Sequence, residues 1–276
     1  MKGIYKMVEK IVVIGDIHAD YEILLAVLKK AEIINDKLEW IADKTYLVII
    51  GDFVDGKARI DNWNGDSDLK VIHFLGKLIK KAKRKKCEVI ILLGNHEFMN
   101  IRGNFTYSGE SGIKEMGGEL KRLKYFNNKF FEFAKKCFLA VNIGGYVFCH
   151  AGIVPEISKK YTIPKLNIML HKFLSNQMNL KEDNIFFNII SGDYGILTTR
   201  EFGGDNINCK RLSATLENLN ANHMIVGHTV QNKVNEVCNK KLWRVDVGLS
   251  RAFGNNNRKN LGFLVIYDFG KKMKIF

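Results

Sequence analysis

Residues 10–20 read KIVVIGDIHAD. An unbroken β-branched run, Ile11 to Ile14, stops at Gly15 and Asp16, so the segment reads as a buried strand whose C-terminal exit is a tight polar loop. The same switch recurs in YLVIIGD at 46–52, EVIILLGNHE at 88–97, YVFCHAG at 146–152, HMIVGHT at 223–229 and LWRVDVG at 242–248. Apolar residues at helical spacing lie between these runs, in YEILLAVLKKAEII at 21–34, DLKVIHFLGKLIKKAKRKK at 68–86 and NNKFFEFAKKCFL at 127–139. Strands alternating with helices predict a layered α/β core built from crossover units. After Gly262, FLVIYDF and GKKMKIF predict a closing hairpin with Gly270 in its turn.

Loops at the carboxyl ends of strands in an α/β sheet converge on one crevice. The exits here carry Asp16 and His18, Asp52 and Asp55, Asn95 and His96, His150, and His228. Imidazoles, carboxylates and one amide, with no thiolate among them, suit two divalent ions that clamp a phosphoryl group and activate a water. An imidazole beside the leaving oxygen can donate its proton, and a neighbouring carboxylate can hold its tautomer. His73, His171 and His223 fall outside this pattern and read as ordinary helix or strand residues. Segment 107–118, YSGESGIKEMGG, reads as a Gly-rich surface turn that could fold over the site.

Composition agrees with a catalytic domain. A chain of 276 residues that is 46% hydrophobic, with 2 Pro, supports a full core and excludes disordered and collagen-like classes. No Pro-rich or Gly/Ser-rich linker divides it, so one domain over 1–276 is expected, with inserted helices around 155–220. The net charge of +14 favours anionic partners such as phosphates, nucleic acid (RNA among them) or an anionic membrane, without choosing among them. The run KKAKRKK at 80–86 reads first as a solvated helix end. The basic N-terminus meets Glu9 and Asp16 before any long apolar stretch, so neither a signal peptide nor a membrane anchor is expected. The five Cys, at 87, 137, 149, 209 and 238, never form CxxC pairs, which predicts reduced thiols and a cytoplasmic location.

GDIHAD, GDFVDG, LLGNHE, CHAG, VGHT and VDVGLSR, in this order, resemble the signature of the calcineurin-like metallophosphoesterase superfamily, in its serine/threonine-protein-phosphatase-like branch. The wider stretches GNHEFMNIRGNFTY and GILTTREFG resemble Shewanella-like and other bacterial-like phosphatases and their diadenosine-tetraphosphatase-like relatives. The resemblance implies a four-layer α/β/β/α sandwich with two mixed sheets. It places Asp16, His18 and Asp52 on one metal, with Asp52 bridging to a second held by Asn95, His150 and His228, and makes His96 the proton donor paired with Asp55. Mn²⁺ is the expected ion, with Fe or Zn²⁺ as alternatives.

Two positions depart from the pattern. Ala19 stands where the family has Gly, and Gly56 replaces the Arg that grips the substrate phosphate. A guanidinium fork has no backbone equivalent, so Lys57, Arg59, Arg102, Arg200 and Arg251 become the candidate phosphate contacts, with Arg200 favoured. The expected activity is hydrolysis of phosphomonoesters, foremost phosphoserine or phosphothreonine in proteins. The alternatives are pyrophosphate cleavage in diadenosine polyphosphates or at an RNA cap, and a non-catalytic nucleic-acid or protein binding module.

Overall fold

The computed structural model describes residues 3–56, 68–255 and 258–276. One mixed sheet holds β2 (Lys10–Ile14), β3 (Thr45–Ile49), β4 (Glu88–Ile91), β10 (Leu264–Tyr267) and β11 (Lys272–Ile275) in the order β11-β10-β2-β3-β4. The second holds β1 (Ile4–Tyr5), β5 (Ala140–Ile143), β6 (Tyr146–Cys149), β7 (His223–Val226), β8 (Asn235–Val237) and β9 (Leu242–Arg244) in the order β1-β5-β6-β7-β9-β8. The sandwich of two mixed sheets expected from the sequence is present.

Strand β2 runs parallel to β3 on one side and antiparallel to β10 on the other. Its residues Ile11 to Ile14 are fully buried, as expected of a central strand covered on both faces. Each such side chain contributes about 1.5–3 kcal/mol relative to exposure. Helix α1 (Tyr21–Lys30) buries Ile23, Leu24, Val27 and Leu28, and its N-cap Asp20 accepts a hydrogen bond from Ile23 N–H at 3.2 Å. Helix α2 (Asp68–Arg84) buries one apolar stripe and ends in Lys81, Lys83 and Arg84, which favour its negative C-terminal dipole. The hairpin after Gly262 forms as read, with β10 antiparallel to β11 and Gly270 in the left-handed region at φ 89°.

Short helices follow β4: α3 (Asn95–Ile101), α4 (Gly109–Glu115), α5 (Glu119–Phe126) and α6 (Lys129–Ala134). Four more, α7 (Pro155–Ser158), α8 (Ile163–Leu174), α9 (Leu180–Ile190) and α10 (Cys209–Asn218), separate β6 from β7. Segment 107–118 is thus largely helical as α4, not a plain turn; Ser108 is buried there, drawn in by polar partners of the site. No helix among the described residues is long and apolar enough to cross a membrane.

One expectation is overturned. Cys209 and Cys238 form a disulfide, with Cα atoms 5.4 Å apart across a separation of 29 residues, while Cys87, Cys137 and Cys149 remain free and buried. Asn208 caps α10 and places Cys209 at its first turn, and Cys238 to Lys240 turn back in the left-handed region between β8 and β9. Tertiary packing brings the two thiols together, which spacing along the chain could not reveal. The argument for a reducing compartment from cysteine usage therefore no longer holds.

Candidate metal centre

The six strand exits meet on one edge of the sandwich. The loop after β2 is tied to that after β3 through Ile17 N–H and His18 N–H to Asp52 O at 3.0 and 2.9 Å. The loop after β7 joins those after β6 and β2, through Gly227 N–H to His150 O at 2.7 Å and His228 N–H to Asp16 Oδ2 at 3.0 Å. The glycines permit this approach: a Cβ on Gly94 would collide with Asp52 Oδ1, and one on Gly227 with Asp16 Oδ1.

Several site residues occupy the left-handed region without being glycine: His18 at φ 46°, Ala19 at 59°, Asp52 at 45°, Asp55 at 59° and His228 at 65°. Each costs about 1–2 kcal/mol, and the concentration of such residues here aims their side chains inward at the expense of stability. Ala19, where the family pattern has Gly, keeps the glycine-like conformation.

Asp52 lies at the centre. His18, Asp52 and His96 form one cluster of potential ligand atoms, and Asp52, His150 and His228 form another, the atoms in each lying within 4.8 Å of one another. Both clusters can bind a divalent ion and share one carboxylate. His150 Nε2 is 3.3 Å from Asp52 Oδ2, and His96 Nε2 is 3.8 Å from it. The outer nitrogens are held by oxygen acceptors: His18 Nδ1 by Asp55 O at 2.8 Å and His150 Nδ1 by Ile50 O at 3.0 Å. That arrangement turns each Nε2 toward the cluster, as a metal ligand requires.

Asp16 belongs to neither cluster, and His96, expected as the proton donor, lies within the first. Asp16 is nonetheless buried beside them, and its Oδ1 has no hydrogen-bond partner among the described residues. Asp246, also buried, accepts from Gly248 N–H with Oδ1 at 2.9 Å and leaves Oδ2 without a partner. Two orphaned carboxylate oxygens in a site crowded with acceptors fit a cation. The amide of Asn95 fits it too. With its nitrogen inward it reaches Asp52 Oδ2 at 3.2 Å, His150 Nε2 at 3.0 Å and His228 Nδ1 at 2.9 Å; half a turn of the amide presents Oδ1 to a cation instead.

The electrostatics agree. Burial, and then the nearby Asp246 and Asp52 carboxylates, push Asp16 well above the usual carboxylate range. Burial raises Asp246 to about 6. Burial also works against the charge on Asp52, yet His150, His96 and His18 hold its carboxyl well below the usual range. His228 is pushed down to about 3, by burial and then by His150, so its imidazole is neutral and open to metal. For His96 burial opposes the imidazolium, but Asp52 and Asp55 outweigh it and raise the pKa.

Among the described residues, Asp55 receives four side-chain donors, an arrangement only partly visible in sequence. His96 Nδ1 at 3.2 Å and Asn100 Nδ2 at 2.7 Å meet Oδ2, while Ser108 Oγ at 2.8 Å and an Arg122 nitrogen at 2.9 Å meet Oδ1. Glu97, the next residue of the GNHE motif, is fully buried and accepts the N–H groups of Asp52, Phe53, Val54 and Gly94 at 2.7–3.2 Å. Burial, and then the Asp52 carboxylate, raise its pKa to about 8, and the Gly94 N–H opposes that shift by favouring the carboxylate. Glu97 and Asp246 lie inside motifs already singled out, so a carboxylate at a strand exit was their available signal. Arg122, Asp68, Asn100 and Ser108 carried none, because each acts through tertiary contacts.

The candidate phosphate contacts separate. Arg200 is exposed and donates to His228 O at 3.3 Å and Thr229 Oγ1 at 3.1 Å, at the edge of the second cluster. Arg251 directs its guanidinium to both oxygens of Asp20 at 2.9 and 3.0 Å. Arg102 stacks over the Phe187 ring at 4.1 Å, on the rim of a cavity of about 250 Å³ that Phe98, Met99, Ile190 and Leu197 line next to Asn95. Lys57 and Arg59 lie outside the described residues.

The calcineurin-like phosphoesterase family model matches residues 9–232. The chain is 29% identical to Shewanella-like protein phosphatase 1 of Plasmodium berghei (strain Anka), over 94% of this chain and 72% of that protein. It is 26% identical to Shewanella-like protein phosphatase 2 of Arabidopsis thaliana, over 88% of this chain and 72% of that one. Its fold is similar to the crystal structure of a cold-active protein-tyrosine phosphatase of a psychrophilic Shewanella species, with a TM-score of 0.80 and 24% identity, over 100% of this chain and 82% of that one. With the family model spanning most of its length, this chain belongs to the calcineurin-like phosphoesterases.

Proposed function

We propose that the protein is a metal-dependent phosphomonoesterase of the protein-phosphatase type, releasing phosphate from phosphoserine or phosphothreonine by direct attack of water. The observation that carries this reading is Asp52, shared by two clusters, with the Asp55-held imidazole of His96 beside it. A shared carboxylate suits a pair of ions, and an imidazole fixed at its far nitrogen suits a proton donor. The names of the two curated relatives, both protein phosphatases, support a protein substrate.

In this reading Asp16, His18 and Asp52 hold one ion, and Asp52, Asn95, His150 and His228 the other. Oxygen and nitrogen donors without thiolate favour Mn²⁺, with Fe or Zn²⁺ as substitutes. Two such ions, when bound, supply charge to the phosphoryl oxygens and acidify a water. His96 gives its Nε2 proton to the leaving oxygen, while Asp55 keeps the ring oriented. Arg200 takes a phosphate oxygen in place of the Arg lost at Gly56. The apolar cavity beside Asn95 accommodates a neighbouring side chain of a peptide. The chain acts as one catalytic domain, with α7–α10 as its helical insertion.

Parallel assays with Mn²⁺ on a phosphopeptide, diadenosine tetraphosphate and capped RNA test this. Turnover of the phosphopeptide above the others is expected. Rapid pyrophosphate cleavage without phosphopeptide turnover would overturn the assignment in favour of a pyrophosphohydrolase.

A further inference from the structure

Arg122 is the largest of the fully buried side chains, at 0% exposure. A buried guanidinium is costly unless its N–H groups are matched, and here they are. Nε donates to Asn100 Oδ1 at 2.7 Å and Nη1 to Gly112 O at 3.0 Å, while Nη2 reaches Asp55 Oδ1 at 2.9 Å and Asp68 Oδ2 at 2.7 Å. The plane packs against the Phe126 ring at 5.1 Å. Asp68 in turn accepts Asp55 N–H with its other oxygen at 2.9 Å.

The consequence is a double hold on one residue. Arg122 grips the Asp55 carboxylate directly and, through Asp68, the Asp55 backbone, which sits in the left-handed region. The opposite carboxylate oxygen faces His96 Nδ1. An ionised carboxylate only accepts, so Nδ1 donates and Nε2 is the nitrogen turned toward the reaction. Two carboxylates and one guanidinium leave one net negative charge against the imidazole. Gly112 O and Asn100 also bring α3 and the α4 segment to the same cation.

We propose that Arg122 is a positioning residue for the proton donor, acting through Asp55 and Asp68 to keep His96 aimed at the leaving oxygen. This rests on the phosphatase reading above. As the bond from phosphorus to the leaving oxygen breaks, its electron pair passes to that oxygen, which takes the His96 Nε2 proton. Water supplies the new oxygen on phosphorus, and the proton it releases recharges the imidazole. A misaimed imidazole therefore penalises poor leaving groups, which need the proton, more than good ones.

The test compares Arg122→Met and Arg122→Lys on 4-nitrophenyl phosphate and phenyl phosphate with Mn²⁺. For Arg122→Met, kcat on phenyl phosphate should fall about tenfold more than on 4-nitrophenyl phosphate, in the range for loss of an outer supporting contact. Arg122→Lys should recover part of the difference. Combined with Asp55→Asn, Arg122→Met should add almost nothing, since both act on one unit. Equal losses on both substrates, or additive losses in the double variant, would overturn the proposal. If Arg122→Met does not fold, Ser108→Ala and Asp68→Asn loosen the same carboxylate and are read in the same way. In protein loaded with diamagnetic Zn²⁺, the His96 Nδ1 proton resonance decides the question without turnover: it should broaden or shift in these variants while bound metal, counted by mass spectrometry, stays constant. An unchanged resonance rejects the positioning role, whereas a wild-type protein inactive on every monoester rejects the phosphatase reading alone.

Discussion

The two flanks of Asp52 are built differently. On the His96 flank, Asp55 has two partners on each oxygen, and Arg122, Ser108 and Asn100 close the network within the protein. On the Asp16 flank, Asp16 and Asp246 each leave one buried oxygen without a partner among the described residues, and their pKa values are raised. One flank is closed by hydrogen bonds within the protein; the other presents buried carboxyls whose raised pKa values fit a site for a cation. The difference separates a closed hydrogen-bond network from a set of candidate ligands.

The strongest way to break that division is His96→Asn. It should lower kcat about 10²–10⁴-fold, the range for a lost general acid, while bound metal is unchanged. Loss of metal in the same variant would move His96 to the binding flank, as its place in the first cluster permits. Next in size, Asp246→Asn should weaken Mn²⁺ binding about 10–100-fold, measured by titration calorimetry, and leave the leaving-group dependence of kcat intact.

The disulfide lies on neither flank. Cys209→Ser should cost about 2–4 kcal/mol of stability by the loop-closure argument and leave kcat unchanged, as read from denaturant unfolding beside an activity assay.

The smallest effect is a pH trend. Asp16 and Asp246 have raised pKa values in the folded chain, Asp246 at about 6, so the folded state holds their protons more tightly than the unfolded state. Without metal, ionisation of Asp246 therefore destabilises the fold as pH rises through roughly 4 to 6, and ionisation of Asp16 acts in the same direction. Chelated protein should lose a few degrees of Tm between pH 4 and pH 6 relative to Mn²⁺-loaded protein, in which the cation removes the penalty.

Much of this was legible along the chain. Each apolar run ending in Gly and a polar residue became a strand with a site loop at its end, because burial requires continuous apolar residues and a close loop approach requires Gly. The strands β1, β5 and β8 are not legible in the sequence, since IY, AVNI and NEV form no unbroken apolar run ending in Gly and a polar residue. Gly56 showed in sequence that a phosphate-gripping fork was missing. Only the structure showed that Arg251 is held on Asp20, while Arg200 stands exposed beside His228.

The sequence by itself determined the ligand types, their order and their convergence, because these follow from local patterns of strand, glycine and loop. Tertiary structure alone decided the partners of Asp55, the burial of Arg122, the bond between Cys209 and Cys238 and the orphaned oxygens of Asp16 and Asp246. Those depend on which distant side chains share a low-dielectric interior, where an unmatched charge is costly and a matched one fixes its neighbours.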